Sequence, residues 1–288
     1  MNWLSILVQG GLLGGLYALF SVGLSLSFGI MRLVNIAHGD LIVLSAFVAL
    51  IVVSGFDVHA MTSLLIVIPA MAIFGYGLQR GLLNQTLGRD LLPPLLVTFG
   101  ISVIIQNVLL EGFGAHVRRL QAGAIETASL QLPGGVIVGA YPMLVFAVAV
   151  VAIAGMQLLF YRTRLGRAFR AVSDDADTAE LMGIDKRHLY GLATAIAMVF
   201  TALAGVLFAI RTTFDPASGP IRLIFAFEAV VIGGLGSLWG TLFGGVVLGI
   251  AQSIGAALSP TWQILAGHIA FIVLLVLRPS GFFPRTRD

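Results

Sequence analysis

Residues 161–187, YRTRLGRAFRAVSDDADTAELMGIDKR, interrupt an otherwise apolar chain. This 27-residue stretch holds 11 of the 29 charges, which are 16 Lys and Arg plus 13 Asp and Glu. On either side lie segments free of all four charged residue types, 127–161 and 188–210. Each is long enough to cross a bilayer, which takes about 20 apolar residues. A charged, helix-forming loop between two such segments is a docking surface for something in the water.

The rest of the composition agrees. The 288 residues are 58% hydrophobic and 10% charged, with a mean hydropathy of +1.03. Soluble domains carry about 25% charged residues. So much apolar surface does not fit inside one soluble core, and lipid must cover it. Further charge-free runs cover 1–31, 41–56, 58–79, 91–110 and 229–277. The last has 49 residues, enough for two spans with a turn at Ser259-Pro260. Spans are expected at 4–28, 39–56, 61–79, 93–112, 141–161, 189–210, 224–240, 241–258 and 262–277. The fold class is therefore all-α: a polytopic membrane protein of about 8–10 transmembrane helices, a single domain over 1–288.

Lys and Arg set the orientation. With nine spans, one set of alternate loops holds Arg32, Arg80, Arg89, the six of 161–187, Arg278, Arg285 and Arg287. The other holds Arg118, Arg119, Arg211 and Arg222. The first set is read as cytoplasmic, which puts the charged loop and the C-terminus inside and loop 111–140 outside. Residues 1–31 lack the basic segment of a cleavable signal. With no cysteine there is no disulfide, thiol catalysis or Cys-ligated metal. The sequence has no basic stripe for nucleic acid.

Several groups of residues invite a role. In the charged loop, Asp175-Ala-Asp-Thr-Ala-Glu-Leu-Met-Gly183 reads as a short helix. Ser173, Asp174 or Asp175 supplies the N-cap and Gly183 the stop. Leu181 and Met182 are then apolar and exposed, as at a protein interface. Arg162, Arg164, Arg167 and Arg170 sit where Arg reaches lipid phosphates. Outer loop 111–140 carries Gly112, Gly114, Gly123, Pro133, Gly134 and Gly135, the chemistry of turns. Gly236, Gly240 and Gly244 have the spacing that lets helices approach closely in lipid. A bulky residue at Gly240 should break that packing, and Ala should be milder.

Charges inside the membrane are costly, about 2.5–3.5 kcal/mol each at mid-bilayer. Asn35, His38 and Asp40 fall in a Gly-flanked break between apolar runs. They line a pathway or form a hydrogen-bonded knot that fixes the break. Glu228, near the start of a span, lines the pathway or sits at the outer interface. Gln9, Gln106, Asn107, Gln252 and His268 read as interhelical hydrogen bonds. No enzyme site is visible. The single lysine, Lys186, follows no Gly-rich phosphate loop, and no HExxH or other metal-ligand pattern occurs.

Four motifs together carry a resemblance. Thr178-Ala-Glu-Leu-Met-Gly183 looks like the cytoplasmic coupling motif of ABC-importer permeases. GLSLSFGIMRLVNIAHGDLIVLSAF (23–47) and GGLGSLWGTLFGG (233–245), with LRPSGFF (277–283), are similar to the branched-chain amino-acid permease family, in its first-type subunit. Ser45 and Glu180 depart from it, where smaller residues are common. The resemblance implies a multi-pass permease subunit of an ATP-driven importer in the bacterial inner membrane. Its solutes would be branched-chain amino acids or related small polar molecules such as urea, amides and aromatic acids. It implies a second permease subunit, two cytoplasmic ATP-binding subunits and a periplasmic binding protein as partners. No cofactor is bound by this chain, since ATP is used by the partners. Asp175, Ala179, Glu180, Leu181, Met182 and Gly183 would couple to the ATPase. The alternative from the residues alone is an ion-coupled secondary transporter, which would need membrane-embedded ionisable groups such as Asp40 and Glu228.

Overall fold

The computed structural model describes residues 3–88, 90, 92–132 and 135–283. Arg89, Pro133, Gly134, Arg285 and Arg287 lie outside the described residues. Twelve α-helices and one short hairpin follow in order: α1 (Trp3–Met31), α2 (His38–Phe56), α3 (Leu64–Gly81), α4 (Leu92–Phe113), α5 (Ala124–Thr127), β1 (Ser129–Leu132), β2 (Val136–Gly139), α6 (Ala140–Arg162), α7 (Arg164–Asp174), α8 (Ala176–Leu181), α9 (Lys186–Arg211), α10 (Gly219–Gly233), α11 (Leu238–Leu258) and α12 (Trp262–Leu277). Eight helical segments among the described residues are long and apolar enough to cross a membrane. The ninth, Trp262–Leu277, is apolar but has only 16 residues. At about 1.5 Å per residue it is shorter than a hydrocarbon core of about 30 Å.

Burial sorts the helices. α1 and α9 form the centre, with α1 packed against α6, α9, α10 and α11. The core includes Phe20, Phe47, Phe208 and Phe214, each at most 2% exposed. Helices α3, α4, α6 and α12 instead present large apolar side chains outward. Leu65, Ile73, Val151 and Val276 are each at least 70% exposed. In water such a surface would drive aggregation; in lipid it is the expected solution.

Apart from the buried Asp40 and Glu228, the charged residues of the loops gather at two ends of the bundle. At one end, Asn84 donates to the Arg187 carbonyl, Arg80 to Tyr76, and Ser173 to the Gly29 carbonyl. At the other, Arg118 and Phe214 pair through their backbones and Arg119 donates to the Ile210 carbonyl. These are the two sets that the Lys and Arg distribution separates.

Two expectations are revised. The seventh and eighth spans meet at 234–237 rather than at 240–241. Gly234 and Gly236 have φ of 104° and 82°, and such positive values end a helix there. Loop 111–140 is not plain turn: it contains α5 and an antiparallel hairpin in which Leu130 faces Val138. Within the charged loop, Arg164, Arg167 and Arg170 stand on a helix of their own. Thr163 accepts from the Gly166 N–H and starts the separate, amphipathic α7, which buries Phe169 and Val172.

Candidate functional site

The charged loop folds as a capped unit. Asp175 accepts from the backbone N–H groups of Asp177 and Thr178 at 3.0 Å and from the Thr178 hydroxyl at 2.6 Å. Of the three candidate caps it is the one used. These donors, the Thr178 hydroxyl first, hold its carboxyl below the usual Asp range. At the other end of α8, the Gly183 N–H bonds to the Glu180 carbonyl and the Ile184 N–H to the Ala179 carbonyl. Gly183 has φ of 84°. Together these bonds make a Schellman stop, with the buried Ala179 and the half-buried Ile184 as its apolar contact. Lys186 pairs with Asp177 at 2.9 Å and Glu180 at 2.7 Å, closing the turn into α9. Asp185 caps that helix by accepting from the His188 N–H, which lowers its carboxyl pKa.

This fixed frame leaves Leu181 and Met182 uncovered, at 87% and 80% exposure. Ala179 turns inward while its two apolar neighbours project from the end of the bundle. Burying Leu181 and Met182 would be favourable by about 1.5–3 kcal/mol each. The arrangement is a rigid apolar tip on an acidic, hydrogen-bonded base.

The N-terminal break is narrower than the sequence implies. Only residues 32–37 lack helical structure, with Arg32 at φ 52°. His38 and Asp40 belong to the first turn of α2. The Asn35 side-chain oxygen accepts from the Ala37 N–H, and its carbonyl accepts from the His38 N–H. His38 Nε2 lies 2.6 Å from the Phe20 carbonyl of α1. Asp40 receives Ser102 at 2.6 Å and Gln106 at 2.9 Å, both from α4. Asn35, His38 and Asp40 are buried and face three different partners.

Glu228 lies in the second half of α10, not near its start, and is 3% exposed. His268 Nδ1 of α12 lies 2.5 Å from its Oε1. Its other oxygen has no partner among the described residues.

The glycine-rich segments are contact surfaces. A Cβ at Gly240 would strike the Gly233 carbonyl, and one at Gly244 the Ala229 carbonyl, so α10 and α11 touch backbone to backbone. Gly245 and Gly249 stand in the same relation to Gly14 and Gly10 of α1. Gly236 lies in the α10–α11 turn, close to Gly29. The C-terminal LRPSGFF segment is pinned to that turn: Phe282 and Phe283 donate their N–H groups to the carbonyls of Ile232 and Gly233.

The sequence profile described as branched-chain amino acid transport system, permease component, matches residues 6–277. The chain belongs to this family. This permease is 29% identical to the high-affinity branched-chain amino acid transport system permease protein BraD of Pseudomonas aeruginosa, over 99% of this chain and 96% of BraD. It is 25% identical to the permease protein LivH of Escherichia coli K12, again over 99% and 96%. The fructose import permease protein FrcC of Rhizobium meliloti is 29% identical over 95% of this chain and 82% of its own. No solved structure matches significantly.

Long-range pairs of the permease escaped the sequence reading. Gln106, Gln252 and His268 make interhelical bonds, to Asp40, Tyr17 and Glu228. Gln9 and Asn107 instead bond within their own helices, to Ser5 and the Val103 carbonyl. Tyr17, Ser102 and the Gln79–Thr194 pair carried no signal. Each is a single polar residue in an apolar run, and periodicity alone names no partner.

Proposed function

We propose that this permease is the membrane domain of an ATP-driven importer of the bacterial inner membrane. Its solutes are branched-chain amino acids or related small polar molecules. A periplasmic binding protein delivers them, and a second permease subunit completes the pathway. ATP is bound and hydrolysed by two cytoplasmic subunits, one of which seats α8. The observation that carries this reading is the apolar tip of Leu181 and Met182, held by caps at both ends of α8 within a family of permease components.

Solute crosses beside the break that holds Asn35, His38 and Asp40 and beside Glu228 of α10. All four are buried here, so their contact with solute belongs to another conformation of the cycle. Close packing at Gly240 and Gly244, with the turn at Gly236, keeps α10 and α11 as one body in that motion.

The test is reconstitution in proteoliposomes with the ATPase and binding-protein subunits encoded beside it. ATP-dependent uptake of leucine or valine that survives collapse of ion gradients supports the proposal. Uptake driven by a gradient without ATP would overturn it in favour of secondary transport. A panel including urea and fructose reads the solute range. Asn35→Ala and His38→Ala should impair uptake at normal membrane insertion; wild-type uptake by both removes the pathway assignment.

A further inference from the structure

The Lys- and Arg-rich end of the bundle contains a cavity that transport leaves unexplained. It has a volume of about 410 Å³ and lies between α1, α6, α7 and the α10–α11 turn. Arg170 lines it. Its guanidinium donates to the Phe160 carbonyl at 2.7 Å and stands 5.1 Å over the Tyr161 ring. Among the described residues it forms no ion pair. Ser25 lines the same cavity, is 1% exposed, and its hydroxyl has no hydrogen-bond partner among the described residues. A buried hydroxyl without a partner is destabilising, so a hydrogen-bonding group that enters the cavity would stabilise it.

The lining selects the ligand. Arg170 is an uncompensated cation, and Gln157 and Ser237 add neutral polar groups. No Asp or Glu of the described residues lines the space, so a ligand's positive group would meet no opposite charge. Tyr161 and Trp239, both exposed, stand at the rim. Such aromatic residues favour the headgroup level of a bilayer. Below them on α6, Leu158 is exposed to lipid. Arg162, Arg164 and Arg167 add positive potential beside the opening, which concentrates anionic lipid.

We propose that this cavity holds the headgroup of an anionic phospholipid, its phosphate on Arg170 and its glycerol hydroxyl near Ser25. Guanidinium matches phosphate in charge and fork geometry. The rim aromatics favour a ligand that arrives along the membrane plane rather than a free anion from the water. Because α7 forms one wall and leads directly into α8, the bound lipid braces the coupling loop against α1. Ser173 already ties the same helix to the Gly29 carbonyl at 2.8 Å.

Native mass spectrometry of the full-length permease in detergent, with added phosphatidylglycerol or phosphatidylcholine, tests this without reference to transport. Phosphatidylglycerol should be retained preferentially. Arg170→Gln should weaken its retention about tenfold, the scale of a hydrogen bond to a charged group. Arg170→Lys should restore part of it. Ser25→Ala, which leaves the charge and the fold untouched, should weaken it about fivefold, the net worth of a neutral hydrogen bond. Arg118→Gln, at an exposed position at the opposite end of the bundle, should change nothing. Equal retention of the two lipids, or no effect of either Arg170→Gln or Ser25→Ala, would overturn the site. Displacement of the lipid by an equal concentration of glycerol phosphate would reassign it to a free phosphate ester.

Discussion

Ser102 of α4 donates its hydroxyl to the buried carboxylate of Asp40 at 2.6 Å, and Gln106, one turn further on, donates to the other oxygen at 2.9 Å. This triad fastens a largely lipid-facing helix to the first turn of α2. The carboxylate also sits where the positive end of the α2 dipole favours it. Gly219 completes the fit, because a Cβ there would collide with the Asp40 side chain.

Asp40→Ala removes the acceptor of both bonds and leaves Gln106 only its 3.3 Å bond to the Ser102 hydroxyl. It should lower stability by about 1–3 kcal/mol, read as a drop in Tm of the detergent-purified protein. Ser102→Ala removes one of two bonds and should be milder. An Asp40→Ala protein that melts with the wild type would show that the triad does not hold α4.

Glycine positions separate cleanly by what surrounds them. Gly240→Leu should abolish folded yield. Gly240→Ala should also reduce it, by about 1–3 kcal/mol, because even one methyl group meets the Gly233 backbone. Small-residue spacing alone suggests a mild Ala effect; the structure sharpens that. Gly11→Ala is the control: a Cβ there meets nothing within 4 Å, and it should be neutral or stabilise by up to about 1 kcal/mol. Fluorescence size-exclusion yields of the three variants decide this, and equal behaviour of Gly11→Ala and Gly240→Ala would contradict it.

Much of this fold was legible in the chain because the bilayer simplifies the reading. Charge-free length locates spans, and Lys and Arg locate their ends. Gly183 and Asp175 were readable as caps because capping is local, acting within four residues. Glu228 and His268 were not readable as a pair: they are 40 residues apart on helices whose apolar faces look alike in sequence. The hairpin at 129–139 escaped for another reason. Its strands have four residues each, too few for alternation to stand out from a loop.

The Asp175 cap makes a prediction about pH. Its carboxyl is held below the ordinary Asp value of 3.8, chiefly by the Thr178 hydroxyl. A group with a depressed folded-state pKa contributes fully above its unfolded value and loses that contribution only as pH falls through the lower one. If α8 docks an ATPase, that association should therefore be flat from about pH 8 to about pH 5 so far as this carboxyl is concerned. Asp175→Asn, still an acceptor at the N-cap, should retain association, and Asp175→Ala should weaken it. Pull-down at both pH values reads both effects. Equal recovery by Asp175→Ala and wild type would mean that the cap does not support docking.

Leu181 and Gly183 test whether α8 is a coupling helix. Leu181 is 87% exposed and makes little of the permease's own core, so Leu181→Asp should leave insertion and Tm unchanged. If α8 seats in an ATPase groove, the same change puts a charge into an apolar contact. Recovery of the ATPase in pull-down and ATP-driven uptake should then fall together. Gly183→Val acts differently. It forces a β-branched residue to φ of 84°, where a Cβ is disfavoured by about 1–2 kcal/mol. That is too little to unfold a bundle of this size, yet enough to loosen the Schellman stop and tilt a six-residue helix. A Gly183→Ala variant should fall between Val and wild type. Full ATPase association and uptake by Leu181→Asp would show that the tip is not the docking element, whatever Gly183→Val does.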